Sequence, residues 1–447
     1  MRILGEWRSE NMVHQDYQKL YEEKKGTLGE CLDLIRSGDV IWTSNNYNEP
    51  TTFFEHLHLI ADRVENVFIY KSRIGSYPFM LAENINGRIN FGNYFYGPDY
   101  RAAHKLKNCT FYPVDLPNYY RSASANRPWN VFVAQVSPMT EDGLFYLGMN
   151  QTFESQLIKD ALEDKKTIIL EVNHQLTWMR GATAIPIEAV TMLYEDDKPE
   201  YMTPPIVCTE DEIKIGMTVA GIIEDGDTIQ MGIGGIPNAV GDFLTDKKDL
   251  GLHTEQFTSS MATLIEKGVI TGARKAYDAG EHVGVFADGT HELYQALHDN
   301  PACVLKPGNE VVNPGAIARQ DHIVSINTCI EMDLTGQVSA ESIGAEQISG
   351  SGGGFCFTLG TYYAEHGKGI LAFQSRTKKG ISKITAQLKP GSIVTHQRNY
   401  VDFVVTEYGA VRLRGCSVAE RAKKLISIAH PEDRESLTIE AKKLNYI

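Results

Sequence analysis

Short apolar runs rich in β-branched residues recur along the chain and alternate with amphipathic stretches. Lys165 to Val172 (KKTIILEV), His322 to Ile330 (HIVSINTCI), Gly369 to Phe373 (GILAF) and Asp402 to Gly409 (DFVVTEYG) are each followed by a polar loop. Runs of this length that are apolar on both faces read as strands buried in a parallel sheet. Between them, segments such as Ser417 to His430 (SVAERAKKLISIAH) carry the helical spacing. The alternation predicts an open α/β sheet in each half of the chain. In such sheets ligands bind at the carboxyl ends of the strands, so the strand-exit loops are where function is to be sought.

The two halves echo one another. LIRSGDVI, around Gly38 and Asp39, returns 188 positions later as IIEDGDTI, around Gly226 and Asp227. Upstream of each copy stands a capping-box pair, Thr27 with Glu30 and Thr209 with Glu212, the arrangement that satisfies orphan amides at a helix start. Downstream of each, a turn-rich loop leads to a proline, Pro50 or Pro237, where a new helix should begin. A third echo pairs Gly143 with Gly336, 193 positions apart. Three matches in one order at nearly constant offset predict two similar open-sheet α/β domains related by duplication. The charged, proline-bearing stretch YEDDKPEYMTPPIV suits a linker, which divides the chain into residues 1–205 and 206–447.

Composition narrows the class. With 447 residues, 42% of them hydrophobic and 22% charged, the chain can bury a substantial core in each of two domains. A formal net charge of −14 repels nucleic acid and anionic membrane, so a phosphate-bearing ligand must be held by a local basic or backbone-amide site. The N-terminal stretch has no apolar run of signal-peptide length, and no later segment has about 18 uncharged apolar residues, which predicts a cytoplasmic protein. The seven cysteines are scattered singly, without a CxxC pair, and read as reduced thiols. Histidines such as His56, His58, His253 and His396 show no metal-ligand spacing, so no metal is expected.

Three strand-exit loops in the second half stand out. Gln230-Met231-Gly232-Ile233-Gly234-Gly235-Ile236-Pro237 brings glycines to a helix start, where backbone amides can approach an anionic or carbonyl-bearing ligand. It lacks the GxGxxG spacing of a dinucleotide site, and a plain tight turn accounts for it equally well. Gly251-Leu252-His253-Thr254-Glu255-Gln256-Phe257 is a short apolar strand ending in a polar triplet with a carboxylate, a residue that in most such places merely caps a helix. Gly350-Ser351-Gly352-Gly353-Gly354-Phe355 is a glycine run able to present N–H groups as an oxyanion hole.

Taken together, these loops resemble those of family I coenzyme A transferases of the acetyl-CoA hydrolase/transferase group, which includes butyryl-CoA:acetate and 4-hydroxybutyrate CoA-transferases. The resemblance spans nearly the whole chain. It is carried by SGD with Glu49-Pro50, QVSP (Gln135 to Pro138), LEVN (Leu170 to Asn173), GIGGIPNAV (Gly232 to Val240) and LHTE (Leu252 to Glu255). It continues through EKGVITG (Glu266 to Gly272), MDLTGQV (Met332 to Val338), VTEYG (Val405 to Gly409) and AHP (Ala429 to Pro431).

The resemblance implies an active site between the two domains, with Glu255 as the nucleophile that carries a glutamyl-CoA thioester. It assigns the oxyanion donors to the backbone near Gly352 and Gly353. It sets Gln230, Met231, Gly232, Ile233 and Gly234 along the pantetheine and thioester, with Ile330 on the same arm. Arg376, Lys378, Lys379 and Lys383, which follow the GILAF strand, are the candidates for the phosphates of CoA, with Lys378 set foremost. If the first domain walls the acyl pocket, Trp42, Asn45 and Tyr47 face it. Coenzyme A is then a co-substrate, no tightly bound cofactor is needed, and a homo-oligomer is expected. The implied reaction moves CoA between a short-chain acyl-CoA, of the butyryl or 4-hydroxybutyryl type, and a carboxylate such as acetate.

Glu266 is a rival nucleophile, because other branches of the superfamily set a glutamate just before a glycine; here Gly268 instead reads as the end of a helix. The chain also departs from its relatives by having Gly354 and Cys356 where they carry glutamine and aspartate. The same motifs serve acyl-CoA hydrolases, in which water resolves the thioester. A non-catalytic sugar-phosphate-sensing domain of similar fold would need a DNA-binding segment, and the sequence offers none.

Overall fold

The computed structural model describes residues 16–71, 77–82 and 85–447; the start of the N-terminal stretch searched for a signal segment lies outside them. The chain forms two compact units, one of Met1–Thr203 with Val285–Asn309 and one of Pro204–Gly284 with Glu310–Ile447. Residues 285–309, which a division at 205 would give to the second half, join the first unit. Hydrogen bonds hold them there: Gln151 N–H to the Val285 carbonyl (2.8 Å), Ala287 N–H to the Met149 carbonyl (2.9 Å) and the Tyr294 hydroxyl to the Tyr201 carbonyl (2.8 Å).

In the first unit, helix α1 (Leu28–Asp33) starts at a capping box in which Thr27 and Glu30 satisfy each other's backbone amides. Seven strands follow: β1 (Val40–Thr43), β2 (Val67–Tyr70), β3 (Ile89–Asn93), β4 (Cys109–Phe111), β5 (Val131–Val136), β6 (Thr167–Val172) and β7 (Met192–Glu195). They form one parallel sheet in the order β4-β3-β2-β1-β5-β6-β7. Strands β2 and β5 are buried along their whole length, as runs apolar on both faces require.

The second unit repeats the plan. Helix α2 (Glu210–Ala220) starts at the second capping box, Thr209 with Glu212. Strands β8 (Thr228–Met231), β9 (Gly251–Leu252), β10 (Ile323–Asn327), β11 (Lys368–Ala372), β12 (Phe403–Thr406) and β13 (Gly409–Arg412) form a sheet in the order β9-β8-β10-β11-β12-β13. Only β13 runs antiparallel. Strands β2-β1-β5-β6-β7 and β9-β8-β10-β11-β12 therefore share one order.

The repeated GD turn is alike down to its hydrogen bonds. Gly38 and Gly226 take left-handed φ of 84° and 86°, a conformation costly for any residue with a Cβ. Each donates its N–H across to the next loop, to the Glu65 and Lys248 carbonyls, at 2.9 Å. Asp39 and Asp227 accept the N–H three residues back, from Arg36 at 2.7 Å and Glu224 at 2.8 Å.

All seven cysteines are free thiols, with only Cys208 and Cys416 partly exposed. Among the described residues no helix is long and apolar enough to cross a membrane.

Candidate active site

In the second unit the loops leaving the carboxyl ends of β8, β9 and β10 meet the start of helix α5 (Gly354–Tyr363). Beyond β9 the backbone is tied on both sides, His253 N–H to the Ile229 carbonyl (3.2 Å) and Thr254 N–H to the Val283 carbonyl (3.0 Å). The buried His253 ring adds a bond from Nε2 to the Val311 carbonyl at 2.8 Å. This anchored, largely buried triplet presents Glu255 half-buried, just ahead of helix α4 (Ser259–Glu266).

The Glu255 carboxylate lies against Gly353, the residue that caps α5. A Cβ added at Gly353 would lie 2.1 Å from Glu255 Oε2 and 2.5 Å from Val312 Cγ1, so the carboxylate occupies space that only glycine leaves open. The N-terminus of a ten-residue helix favours negative charge beside it, both in a carboxylate and in an oxyanion formed from its substrate.

Asn327, the last residue of β10, stands between the two glycine loops. Its Oδ1 lies 3.7 Å from a Cβ built on Gly232 and 3.8 Å from one built on Gly354. Its amide pairs with that of Gln230, Nδ2 donating to Gln230 Oε1 at 3.1 Å and Oδ1 accepting from Gln230 Nε2 at 3.4 Å. On the other flank of Gly354 lies the ring of His396, with Nε2 3.9 Å from the same built Cβ. His396 is buried, its Nδ1 engages Thr358 Oγ1 at 2.9 Å, and desolvation pushes its pKa down to about 4, so the ring is neutral near pH 7. Sequence reasoning passed over Val312 and Asn327 and weighed His396 only as a metal ligand; for Asn327 the signal was present, as the polar residue that interrupts HIVSINTCI.

Met231 is buried within β8, while Gly232 and Ile233 lead to Gly234, which caps helix α3 (Gly235–Asp242). Ile330 is not the strand exit expected, since β10 ends at Asn327 and Ile330 donates its N–H to the Ser339 carbonyl at 2.9 Å in the following turn. Of the four cations after β11, Arg376 is held by Asp433 (2.8 and 2.6 Å) and Glu432 (2.5 Å). The Lys383 ammonium lies 5.1 Å over the Phe373 ring, and desolvation lowers its pKa. Lys378 and Lys379 are exposed on a turn. Glu266 is the exposed last residue of α4, and Cys356 is buried in α5.

In the first unit, Trp42 sits in an aromatic core. It stacks on Tyr70 at 4.3 Å and meets Tyr119, Tyr120 and Phe153 edge-on at 5.1–5.2 Å, with no exposed surface. Tyr47 donates its hydroxyl to the Glu200 carboxylate, accepts the Thr177 N–H at 3.0 Å and packs edge-on against Tyr294 at 4.6 Å. Both rings are thus committed to packing, contrary to the expectation that they face an acyl pocket. Asn45 and its neighbour Asn48 differ, because both side-chain amides are buried and have no hydrogen-bond partner among the described residues.

Comparison with known proteins gives the family of this parallel α/β fold. Residues 9–206 match the acetyl-CoA hydrolase/transferase N-terminal domain and residues 289–441 the C-terminal domain. The succinyl-CoA:cyclohexane-1-carboxylate CoA transferase of Geobacter metallireducens is 35% identical over 97% of this chain and 98% of its own length. The 4-hydroxybutyrate coenzyme A transferase of Clostridium kluyveri is 34% identical over 96% and 99%. The crystal structure of RipA from Yersinia pestis superposes with a TM-score of 0.89 at 32% identity, covering 97% of this chain and all of that one. The chain belongs to the acetyl-CoA hydrolase/transferase family and is an enzyme of the CoA-transferase class.

Proposed function

We propose that this enzyme transfers coenzyme A from a short-chain acyl-CoA, of the butyryl or 4-hydroxybutyryl type, to a carboxylate acceptor such as acetate, through a thioester on Glu255. The observation that carries this reading is the Glu255 carboxylate seated against Gly353 at the start of α5.

A Glu255 oxygen attacks the thioester carbonyl of the donor. Negative charge develops on that carbonyl oxygen, where backbone donors around Gly352 and Gly353 stabilise it. CoA leaves as its thiolate, and a mixed anhydride of glutamate and acyl group remains. The thiolate then attacks the glutamyl carbonyl, the donor's acid departs as carboxylate, and glutamyl-CoA is formed. An incoming carboxylate reverses the sequence, so no net charge is created and no water is consumed. Splitting the exchange into these steps is the gain of covalent catalysis.

On this reading Gln230, Met231, Gly232, Ile233 and Gly234 follow the pantetheine arm with Ile330, and the exposed Lys378 meets a phosphate. Asn45 is the acyl-side polar group, a role supported by its unpartnered buried amide. Coenzyme A serves as co-substrate without a resident cofactor, in a cytoplasmic homo-oligomer. The two relatives above name different acids at almost equal identity, so the acyl group must be read experimentally. Steady-state assays with acetyl-, butyryl-, succinyl- and 4-hydroxybutyryl-CoA against acetate, succinate and 4-hydroxybutyrate should give acceptor-dependent formation of the new thioester. Free CoA released at the same rate without acceptor would mark a hydrolase instead.

A further inference from the structure

Three adjacent strands of the second sheet begin beside one another at the edge opposite the Glu255 loops, and each brings a polar group to its start. Asp227 precedes β8, Asp321 and His322 precede β10, and His366 lies two residues ahead of β11. These strands are hydrogen-bonded in parallel, with Thr228 beside Ile323 and Val324 beside Lys368, so residues far apart in sequence meet at one edge.

The His322 and His366 rings stack with centroids 4.4 Å apart and planes within 5°. The Asp321 carboxylate serves both, lying 2.9 Å from His366 Nδ1 and 3.9 Å from His322 Nε2. One ligand atom from each of the three residues falls within 4.8 Å of the others. Behind His322, buried Asp227 lies 3.8 Å from the other ring nitrogen, Nδ1. A carboxylate in that place can set the tautomer and orientation of a metal-binding imidazole once the two close to hydrogen-bond distance. Lys368 neutralises part of the charge at 3.0 Å from Glu224 and 3.1 Å from Asp227.

We propose that Asp321, His322 and His366 form a binding site for a borderline divalent cation such as Zn²⁺, with water completing the coordination. Nitrogen and carboxylate donors in this number suit a Zn²⁺ site with an open position. Donor atoms around tetrahedral Zn²⁺ lie about 3.3 Å apart, from metal–ligand distances of about 2.0–2.2 Å. The three side chains are 41–53% exposed and can close the remaining gap by rotating. The cation would pin the starts of β10 and β11 together; the reaction proposed for Glu255 proceeds at the other ends of the strands and does not depend on it.

The test is titration of the metal-free, full-length protein with ZnCl₂ by calorimetry, alongside His322→Asn, His366→Asn and the double variant. The expected result is one Zn²⁺ per chain, an affinity lower by at least about tenfold in each single variant, and no binding at this site in the double variant. A raised melting temperature with Zn²⁺ should vanish in the same variants, while transferase activity is unchanged. Substituted Co²⁺ should show no thiolate charge-transfer band, which separates this site from binding at Cys208 or Cys416. Equal Zn²⁺ binding by parent and double variant, a thiolate band, or no binding by the parent would each overturn the proposal and leave His366–Asp321 a plain ion pair.

Discussion

Replacing Gly353 by alanine tests the nucleophile's seat without dismantling the fold. The backbone there has φ −96° and ψ 0°, open to any residue, so the variant meets no conformational barrier. As a helix cap, alanine in place of glycine costs up to about 1 kcal/mol. Its methyl, however, would arrive 2.1 Å from Glu255 Oε2 and 2.5 Å from Val312 Cγ1. The carboxylate, at the end of a flexible side chain, must give way by roughly 1 Å to restore contact distance, and the Val312 methyl must shift as well. Misplacing a reacting group by that much costs about 100-fold in rate, or ~2.7 kcal/mol of barrier. Gly354→Ala is the control, since its methyl would meet Asn327 and His396 only at 3.8–3.9 Å, ordinary contact. We expect kcat/KM for CoA transfer to fall about 100-fold in Gly353→Ala and to stay within about threefold in Gly354→Ala, with both melting within a few degrees of the parent. Equal activities in the two variants would refute the placement of Glu255 as the reacting group.

Other outcomes follow from the same geometry. Asn327→Ala removes both amide hydrogen bonds to Gln230 and should raise KM for acyl-CoA several-fold, at a stability cost of about 1 kcal/mol per bond lost; an unchanged KM would mean the two glycine loops do not depend on it. Trp42→Gly should destabilise the first unit by about 3–5 kcal/mol without lengthening the acyl chains accepted, because the indole fills an aromatic core; a stable variant with a broadened chain-length profile would contradict this. His282 and His396 both have pKa values pushed by burial from 6.5 down to about 4. Their unfolded forms bind protons first, so stability should fall as pH drops from about 6.5 towards 4, and His396→Gln should flatten that slope in denaturant melts.

Much of this was legible in the sequence because it rests on local chemistry. The capping boxes at Thr27 and Thr209 and the turns at Gly38 and Gly226 are set by residues within a few positions of one another, and all four form as read. The exit of β10 was misplaced at Ile330 because Cys329 and Ile330 prolong the apolar run, although the buried Cys329 and the partly exposed Ile330 belong to the next turn. Trp42 was expected to face a pocket because the resemblance set the first domain along the acyl group; instead it lies within β1, fully buried. The return of residues 285–309 to the first unit depends on long-range hydrogen bonds such as Tyr294 to Tyr201. Asp321, His322 and His366 meet through strand order, which no spacing along the chain reveals.

The central claim, that Glu255 carries the coenzyme A, is tested most directly by trapping. Enzyme incubated with acyl-CoA and no acceptor should accumulate glutamyl-CoA, which borohydride reduces to an alcohol that peptide mass mapping can locate. The account predicts that mark on the peptide containing Glu255, absent without acyl-CoA and absent in Glu255→Ala. A mark on Glu266, or transfer by Glu255→Ala within about tenfold of the parent (~1.4 kcal/mol of barrier), would contradict it.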